Sequence, residues 1–345
     1  MNNNTVDQDI LFMGEALAMA RKGAGFTNPN PAVGAVVVKD GKIVGRGWHP
    51  ACGMPHAEVY ALRDAGEAAA GGTIYVTLEP CSTYGRTPPC TEAIKKAGIK
   101  RVVAANYDCF KAHSGNGFRI LQEAGIECTT GVLAKECAEL NKSFFKWAAT
   151  GKPFILLKMA ITLDGRIACC NGSSKWITGP VPRKRVQYLR SLADGIMVAG
   201  NTLRTDHPRL DVRDIEGFSR PVRRFIATGS MTQREVDAFF PEGIRPEIVS
   251  IDPDGLWLEK LGREKVTNIL VEGGGELAAL LLSCGQVDEV EFHIAPKILG
   301  GRTSRPVVGG HDPQSLSEAL PLTDVSASVL EDGTVIYCAK PSRSR

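Results

Sequence analysis

The sequence predicts two domains, each with an α/β fold. The chain has 345 residues, whereas an average domain has roughly 150. In both halves, apolar runs typical of strands alternate with segments whose apolar residues recur at helical spacing. Around Thr150-Gly151-Lys152-Pro153 this alternation stops at a glycine and a proline and then restarts. We therefore expect one domain over residues 1–150 and another over residues 151–345.

In the first half, the predicted elements begin with a helix and a β-hairpin. Apolar residues occupy one helical face of residues 10–22, and the following glycines end that helix. Residues 33–38 and 43–48 predict two strands joined at Asp40-Gly41, a dipeptide typical of tight turns. The later elements are a helix over 56–65, a strand over 73–78, a helix over 91–97, a strand over 101–105, a helix over 118–124 and a short strand near Ile126.

The second half repeats this alternation with different elements. A strand is predicted over residues 154–161 and a helix over residues 183–191. A run of glycines, Gly273-Gly274-Gly275, precedes an apolar helix over residues 277–282. The other predicted elements are strands over residues 195–199, 224–227, 247–250, 268–271, 290–294 and 335–338.

The composition is that of an ordinary folded protein, with 43% hydrophobic and 23% charged residues. A net charge of +3 without a basic cluster, together with 6% aromatic residues, does not favour nucleic-acid binding. The polar N-terminus lacks the pattern of a secretory signal, and the apolar runs are far shorter than the roughly 20 residues that span a bilayer. We expect a cytoplasmic protein with no membrane or nucleic-acid partner, whose ten cysteines are reduced thiols.

A candidate zinc site occurs in the first half. His56 opens a predicted helix, Cys81 follows a strand, and Cys90 opens the next helix. One imidazole and two thiolates suit Zn²⁺ and leave its fourth tetrahedral position for water. Zinc lowers the pKa of bound water to near 7 and so provides hydroxide at neutral pH. Because Glu58 lies two residues after His56, it can move a proton from that water to a leaving amine. The pattern predicts a zinc-dependent deaminase.

Each of these residues taken alone also has a structural interpretation. An isolated histidine is usually a cap or packing residue, and an isolated cysteine is usually part of a core. Together they match the zinc deaminase signature His-x-Glu with Pro-Cys-x-x-Cys, except that eight residues separate the cysteines here. A closed structural zinc site would need a fourth protein ligand, for which only Cys52 or His49 is close in sequence.

Longer motifs in the first half resemble the deaminase domain of the RibD family of bifunctional riboflavin biosynthesis enzymes. The motifs are Asn28-Pro-Asn-Pro-Ala-Val-Gly34, Gly45-x-Gly-x-His49, His56-Ala-Glu58 and Thr77-Leu-Glu-Pro-Cys-Ser-Thr-Tyr-Gly-Arg-Thr-Pro-Pro-Cys90. The resemblance implies a cytidine-deaminase-like, three-layer α/β/α domain. It also implies that Asn30, His49 and Arg86 contact the substrate, Arg86 at its phosphate.

Two departures from the family pattern lie near the expected deaminase pocket. Thr83 stands where the family usually has histidine. Asp108-Cys109-Phe110-Lys111 stands where it usually has Asp-Pro-Asn-Pro. Their effect on deamination is left open by the sequence, whereas the three ligand residues are intact.

The second half lacks Gly-x-Gly-x-x-Gly, so a Rossmann dinucleotide site is not supported. The glycine-rich turn can cradle a phosphate with backbone N–H groups, although many such turns are structural. This half resembles the reductase domain of the same family, which implies a fold similar to dihydrofolate reductase and NADPH as cofactor. The motifs are Lys158-Met-Ala-Ile-Thr-Leu-Asp-Gly-Arg-Ile-Ala168, Ser174-Lys-Trp-Ile-Thr-Gly179, Thr202 to Arg213 with Asp206-x-Pro-x-Leu210, Val271-Glu-Gly-Gly274 and Pro296-x-x-Leu-Gly300.

The resemblance also implies the reductase site residues. Those at the cofactor are Ala160, Trp176, Thr202, Asp206, Gly274, Gly275, Glu276, Leu277, Ala278, Ala279 and Leu280. Those at the substrate are Lys158, Ser174, Arg183, Arg190, Leu210, Arg213 and Glu272. The two arginines at 190 and 213 suit a phosphorylated sugar, and Glu272 suits its hydroxyls. Trp176 either forms a wall beside the nicotinamide or packs in the core. The sequence does not choose between Lys158 and Asp206 as the group that assists proton transfer.

The resemblance covers residues 8–340 and implies two successive reactions. The first converts 2,5-diamino-6-(5-phosphoribosylamino)pyrimidin-4-one to the aminouracil with release of ammonia. The second uses NADPH to reduce the ribosyl side chain to ribityl. The alternatives are an enzyme with one degenerate half, a deaminase of nucleic-acid bases, and a non-catalytic zinc-stabilised scaffold. The resemblance also favours a homo-oligomer, although the oligomeric state and channelling between the sites are not written in the residues.

Overall fold

The structure, a computed structural model, describes residues 3–84, 88–110 and 114–342. The chain forms two compact units, Met1–Gly151 and Lys152–Arg345, each built around its own β-sheet. Strands and helices alternate in both units, so the predicted α/β class is confirmed. Within the described ranges, no helix combines the length and the apolar character needed to cross a bilayer.

In the first unit, a mixed sheet is packed against helices. Its strands are β1 (Gly34–Lys39), β2 (Lys42–Trp48), β3 (Thr73–Val76), β4 (Arg101–Ala104) and β5 (Glu127–Thr130). Its helices are α1 (Asn3–Gly23), α2 (Ala57–Ala65), α3 (Cys90–Lys96), α4 (Asn116–Glu123), α5 (Ala134–Leu140) and α6 (Lys142–Thr150). The strand order is β2-β1-β3-β4-β5, in which β1 is antiparallel to both neighbours and the last three strands are parallel.

Alternate residues of β1 enter two separate apolar cores, which produces three layers. Val37 packs in a core with residues of α2, α3 and α4, whereas Val36 packs in a core with residues of α1 and α5. At Gly47, an added Cβ would lie 2.3 Å from the carbonyl oxygen of Ala57, so only glycine allows α2 to approach β2 this closely. This contact fixes the start of α2, where two predicted site residues lie.

The second unit contains a larger sheet that is mostly parallel. Its strands are β6 (Phe154–Thr162), β7 (Arg166–Ala168), β8 (Gly195–Ala199), β9 (Arg223–Ala227), β10 (Glu247–Val249), β11 (Asn268–Val271), β12 (Glu289–Ala295), β13 (Arg305–Pro306), β14 (Leu322–Val329) and β15 (Val335–Pro341). Its helices are α7 (Pro180–Leu192), α8 (Gly200–Asp206), α9 (Gln233–Asp237), α10 (Leu256–Arg263) and α11 (Gly275–Ser283). The order is β10-β9-β8-β11-β6-β12-β15-β14, while β13 pairs with β7.

Strand β6 lies inside this sheet and is buried on both faces. Leu156 packs with Leu189 of α7 on one face. Ile155 and Leu157 pack with residues of α10 and α11 on the other. The strands from β10 to β12 are parallel, so their carboxyl ends meet along one edge of the sheet. Ligand sites of open α/β sheets are usually found at that edge.

The predicted strands and helices are all present, and most of their ends shift by a few residues. The largest shift is in α1, which begins at Asn3 instead of Ile10. The sequence patterns did not predict α5, α6, α8, α9, α10, β7, β13 and β14. In β14, Val325, Ala327 and Val329 alternate with serines, but every side chain is exposed, so the strand is held by backbone pairing with β15 and not by apolar burial.

Candidate active sites

The first unit brings the three predicted zinc ligands together. His56 immediately precedes α2, Cys81 follows β3, and Cys90 is the first residue of α3. The His56 Nδ1 atom lies 3.5 Å from the Cys81 sulfur and 3.3 Å from the Cys90 sulfur. Ligand atoms around a tetrahedral zinc ion stand roughly this far apart, because each lies about 2.0–2.3 Å from the metal.

The donor chemistry of this cluster fits zinc. The hydrogen bond that Cys90 donates to Cys81, together with burial, raises the pKa of the Cys90 thiol. The pKa of the Cys81 thiol is lowered to about 4, because Cys90 and His56 donate hydrogen bonds to its sulfur. It is therefore a thiolate at neutral pH, which is the form that binds metals. Glu58 is 3% exposed, and its Oε2 atom has no hydrogen-bond partner among the described residues. Burial raises the pKa of this carboxyl.

A fourth protein ligand for a closed zinc site is not found in the described part of the chain, where the metal-competent cluster consists of His56, Cys81 and Cys90. Cys52 is exposed. The His49 Nδ1–H donates to the carbonyl oxygen of Pro55 at 3.0 Å. Its Nε2 atom lies 3.2 Å from the Asn30 side-chain nitrogen, so both ring nitrogens are already used. The cluster therefore leaves a metal with an open coordination position.

The cluster opens into a cavity of about 170 Å³. Two of the predicted substrate residues, Asn30 and His49, line it beside Glu58. Burial lowers the pKa of His49, so its neutral ring accepts the Asn30 hydrogen bond at Nε2. Arg86, the third predicted substrate residue, lies outside the described residues.

Sequence reasoning had left the role of Phe110 open and had not singled out Phe144. Both line the cavity, and their rings meet edge to face with centroids 5.9 Å apart. Glu79 also lines the cavity and accepts backbone hydrogen bonds from Asp108, Gly115 and Gly117, which anchors the following loop. The signal for Phe110 was its place in the segment that departs from the family pattern. Phe144 lies on α6, which no pattern predicted.

In the second unit, several predicted substrate residues lie on the sheet face that α7 covers. Arg190 of α7 donates two hydrogen bonds to the Glu272 carboxylate, at 2.6 and 2.7 Å. Burial alone would raise the pKa of Glu272, but the adjacent Arg190 charge outweighs it and lowers the pKa. Lys158 is 9% exposed and makes no hydrogen bond or ion pair within the described ranges. Arg190 also donates to the carbonyl of Asp211, whose carboxylate pairs with Arg213.

Two further contacts join residues assigned to substrate with residues assigned to cofactor. The Ser174 hydroxyl donates to the Asp206 carboxylate at 3.0 Å. The Arg183 guanidinium lies over the Trp176 ring, 4.4 Å from its centroid. Trp176 is 65% exposed, which excludes the core-packing interpretation.

The glycine turn before α11 meets the end of β8. An added Cβ at Gly274 would lie 2.8 Å from the Ala199 Cβ and 3.3 Å from the Thr202 hydroxyl. This close approach needs glycine, whose φ here is +91°. Backbone N–H groups at the start of α11 fit an anionic group such as a cofactor phosphate.

The predicted cofactor and substrate residues differ in what they can offer a ligand. Leu210, Leu277 and Ala278 are buried in the apolar core, so only their backbone atoms can reach a ligand. By contrast, Glu276 and Leu280 are exposed, and Ala160 and Ala279 are half-buried. The Glu276 carboxylate accepts a hydrogen bond from the Gly310 backbone at 3.2 Å.

Comparison with known proteins identifies the family. Residues 6–106 match the cytidine and deoxycytidylate deaminase zinc-binding region, and residues 153–336 match the RibD C-terminal domain. The riboflavin biosynthesis protein RibD of Escherichia coli K12 is 41% identical over 326 residues, which cover 85% of this chain and 89% of that protein. The chain belongs to the RibD family. Like other RibD proteins, it is a bifunctional deaminase and reductase of riboflavin biosynthesis, with a zinc-dependent hydrolase half and an oxidoreductase half.

Other RibD proteins resemble the chain along nearly its whole length. RibD of Aquifex aeolicus is 40% identical over 95% of this chain and 98% of its own. A solved RibD structure from Acinetobacter baumannii has a TM-score of 0.87 at 35% identity, covering 98% of this chain and all of the other. A Thermotoga maritima structure has a TM-score of 0.85 at 34% identity with the same coverage. These RibD relatives indicate a zinc ion and a nicotinamide cofactor.

Proposed function

We propose that residues 1–150 deaminate 2,5-diamino-6-(5-phosphoribosylamino)pyrimidin-4-one and that residues 151–345 reduce the ribosyl side chain of the product with NADPH. The Thermotoga maritima relative is named a diaminohydroxyphosphoribosylaminopyrimidine deaminase and 5-amino-6-(5-phosphoribosylamino)uracil reductase. The observation that carries the proposal is the cluster of His56, Cys81 and Cys90 beside the buried Glu58. That set of groups matches the needs of hydrolytic deamination.

In the deaminase half, His56, Cys81 and Cys90 would hold a zinc ion through one imidazole nitrogen and two sulfurs. When bound, zinc lowers the pKa of water and so supplies a nucleophile at neutral pH. Glu58 would hold and move the proton between such a water and the leaving amine, because its Oε2, which has no partner among the described residues, belongs to a side chain that lines the cavity. Its burial excludes bulk water from this exchange.

The pyrimidine is held by the rest of the cavity wall. Asn30 has an amide oxygen and a second N–H for the polar edge of the ring, and His49 fixes the orientation of that amide. Phe110 and Phe144 provide apolar surface for the ring face. Arg86, by the family resemblance, binds the phosphate.

In the reductase half, NADPH provides the hydride for C1′ of the ring-opened sugar. Its phosphates fit the backbone N–H groups at Gly274 and Gly275, with Thr202 in contact with the same turn. The exposed Trp176 ring would form a wall beside the nicotinamide. Asp206 keeps the Ser174 hydroxyl in place. Ala160 and residues 276–280 of α11 would lie along the cofactor.

The substrate of the reductase half meets a group of charged residues. Arg190 and Arg213 bind the phosphate, and they are connected through Asp211. Glu272 accepts hydrogen bonds from sugar hydroxyls. The Lys158 ammonium donates a hydrogen bond to the sugar near C1′, since it has no other partner within the described ranges. Ser174, Arg183 and the Leu210 backbone complete the site.

The test is to measure the two reactions separately on the purified chain. We expect ammonia release from the diaminopyrimidine and, after addition of NADPH, a fall in absorbance at the nicotinamide band. In Glu58→Gln, ammonia release should fall about 100- to 10,000-fold because the proton shuttle is lost. Zinc content and NADPH oxidation with the aminouracil should be unchanged. A wild-type protein that lacks either reaction contradicts the bifunctional proposal.

We also propose that the enzyme is a cytoplasmic homo-oligomer that acts on small molecules and binds no nucleic acid. The family resemblance supports the oligomer, and the low net charge supports the lack of a nucleic-acid partner. Light scattering of the purified chain tests the first point. A gel shift with tRNA at low salt tests the second, and a shifted band would contradict it.

A further inference from the structure

Strand β12 carries three polar residues that no role above explains, Glu289, Glu291 and His293. Glu291 and His293 are separated by one residue, so both side chains point to the same face of the sheet. That face is the one covered by α7, because Arg185 of α7 donates two hydrogen bonds to the Glu291 carboxylate, at 2.6 and 2.7 Å. Both strand residues are almost fully buried, with side chains 2% and 0% exposed.

The contacts fix the protonation of this pair. Burial opposes ionisation of Glu291, but hydrogen bonds from His293 and Arg185 lower its pKa to about 2, so it is a carboxylate. Burial lowers the pKa of His293, so its ring is neutral at physiological pH. The His293 Nε2–H then donates to Glu291 at 2.8 Å. Its Nδ1 has no partner among the described residues.

The strand register places the pair next to the proposed reductase site. In the parallel ladder of β6 and β12, Glu291 is opposite Lys158 and His293 is opposite Ala160. Opposite residues of neighbouring strands point to the same face of a sheet. Glu291 therefore stands beside the proposed substrate lysine, and His293 stands beside a residue assigned to the cofactor.

The charges on this face do not balance. Three cationic side chains, Lys158, Arg185 and Arg190, face the two carboxylates of Glu272 and Glu291. Each arginine already forms a two-point pair with one carboxylate. Lys158 has no such pair in the described part of the chain, and burial lowers its pKa. A buried ammonium stays charged only if nearby negative charge offsets its lost hydration.

We propose that Glu291 and His293 are positioning residues of the reductase half, which keep the Lys158 ammonium charged and directed at the substrate. Arg185 and His293 hold the Glu291 carboxylate in one place, and that carboxylate stabilises the neighbouring ammonium. Hydride arrival at C1′ leaves electron density on the substrate, and a fixed cation there stabilises it. The inference rests on the proposed function of the second unit.

The pH response of Lys158 depends on every ionisable group that faces it. These groups are Glu289, Glu291 and His293 of β12, Glu272 after β11, Arg185 and Arg190 of α7, and Cys338 of β15, whose thiol lies 3.7 Å from the Glu291 carboxylate. Burial raises the pKa of Cys338 to about 11, so it is uncharged at neutral pH. Glu291 is then the carboxylate of β12 whose charge raises the pKa of Lys158.

The first experiment compares Glu291→Gln with the wild type in NADPH oxidation across pH. Loss of the carboxylate lowers the Lys158 pKa, so the alkaline limit of kcat should move down by about one pH unit. We expect kcat to fall about 10-fold with a smaller change in KM, because the lost interaction acts mainly in the transition state. Glu247→Gln is the matched control: it also loses a two-point arginine pair, but at the far end of the same sheet. It should leave kcat and the pH limit unchanged.

The second experiment separates positioning from packing. His293→Leu removes the donor to Glu291 and should reproduce the shift of the pH limit in part. His293→Gln can place an amide N–H where Nε2–H stood and should restore the wild-type profile. Ammonia release by the same samples reports on folding of the other unit. If both Glu291→Gln and His293→Leu keep the wild-type kcat and pH limit, or if His293→Gln is no better than His293→Leu, the inference is overturned. A wild type that oxidises no NADPH instead contradicts the proposed function.

Discussion

The two active sites of this chain are built in opposite ways. The deaminase ligands are supplied by residues 56–90, and each stands at the end of a strand or the start of a helix. The charged face of the reductase site draws on β6, α7, β11 and β12, and it brings Lys158 next to Glu291, 133 residues later in the chain. The first site is therefore a local motif, and the second is a product of sheet topology.

This difference predicts how each site responds to the mutation of a single residue. Removal of one zinc ligand removes a metal and its chemistry but leaves the sheet beneath it intact. Removal of one charge from the reductase face leaves a buried partner uncompensated, which costs stability as well as activity. Mutations at the zinc site should therefore reduce activity with little loss of stability, whereas mutations on the reductase face should reduce both.

The largest effect is expected at the metal. His56→Ala should abolish stoichiometric zinc binding and reduce ammonia release at least about 1000-fold, since the nucleophile is no longer activated. NADPH oxidation by the same protein should stay within about twofold, because the two sites are in separate units. Metal analysis and the two assays check this. Cys52→Ser, at an exposed thiol outside the cluster, is the control and should keep both activities.

The next effect is on stability. Arg190→Met leaves the Glu272 carboxylate buried without its partner, and we expect about 3–5 kcal/mol of destabilisation in the urea unfolding transition of the second unit. Lys340→Met breaks the Lys340–Asp324 pair, whose side chains are 45% and 67% exposed, and should cost about 1 kcal/mol or less. Equal losses in both variants would show that burial is not the cause.

A pH effect of similar size is expected from Glu291. Its folded pKa of about 2 lies below the unfolded value of roughly 4.3, so its contribution to stability is present above pH 4.3 and is lost as pH falls towards 2. The wild type should lose about 3 kcal/mol across that window that Glu291→Gln does not lose. Urea unfolding measured at several pH values checks the slope. Glu331→Gln, at an exposed position, should behave as the wild type.

The smallest effect should be at the aromatic wall of the deaminase cavity. Phe110→Ala removes surface on which the pyrimidine packs and should raise the deaminase KM about 10-fold with kcat within about twofold. Tyr107→Ala, a nearby aromatic that packs on Phe118 and does not line the cavity, should leave KM unchanged. Steady-state ammonia release distinguishes the two variants, and a KM unchanged in both would remove Phe110 from the substrate site.

The reductase residues show which features of a site can be predicted from the sequence and which cannot. Motifs predicted Lys158, Arg190 and Glu272, but not their arrangement. Glu291 and His293 were missed although the sequence held a signal: together with Glu289 they put polar residues at alternate positions of a strand whose other residues are apolar. The patterns left Trp176 between two interpretations, and its exposure excludes core packing.

The sequence by itself determined the α/β class, the proposed zinc ligands and most strand and helix positions, because periodicity and short motifs are local properties of the chain. Only the tertiary structure decided that Phe110 borders the deaminase cavity and that Glu291 lies opposite Lys158. Strand order and register bring residues together from distant parts of the chain, and no local pattern encodes which strands become neighbours. Burial then sets the charge state of the groups that meet there.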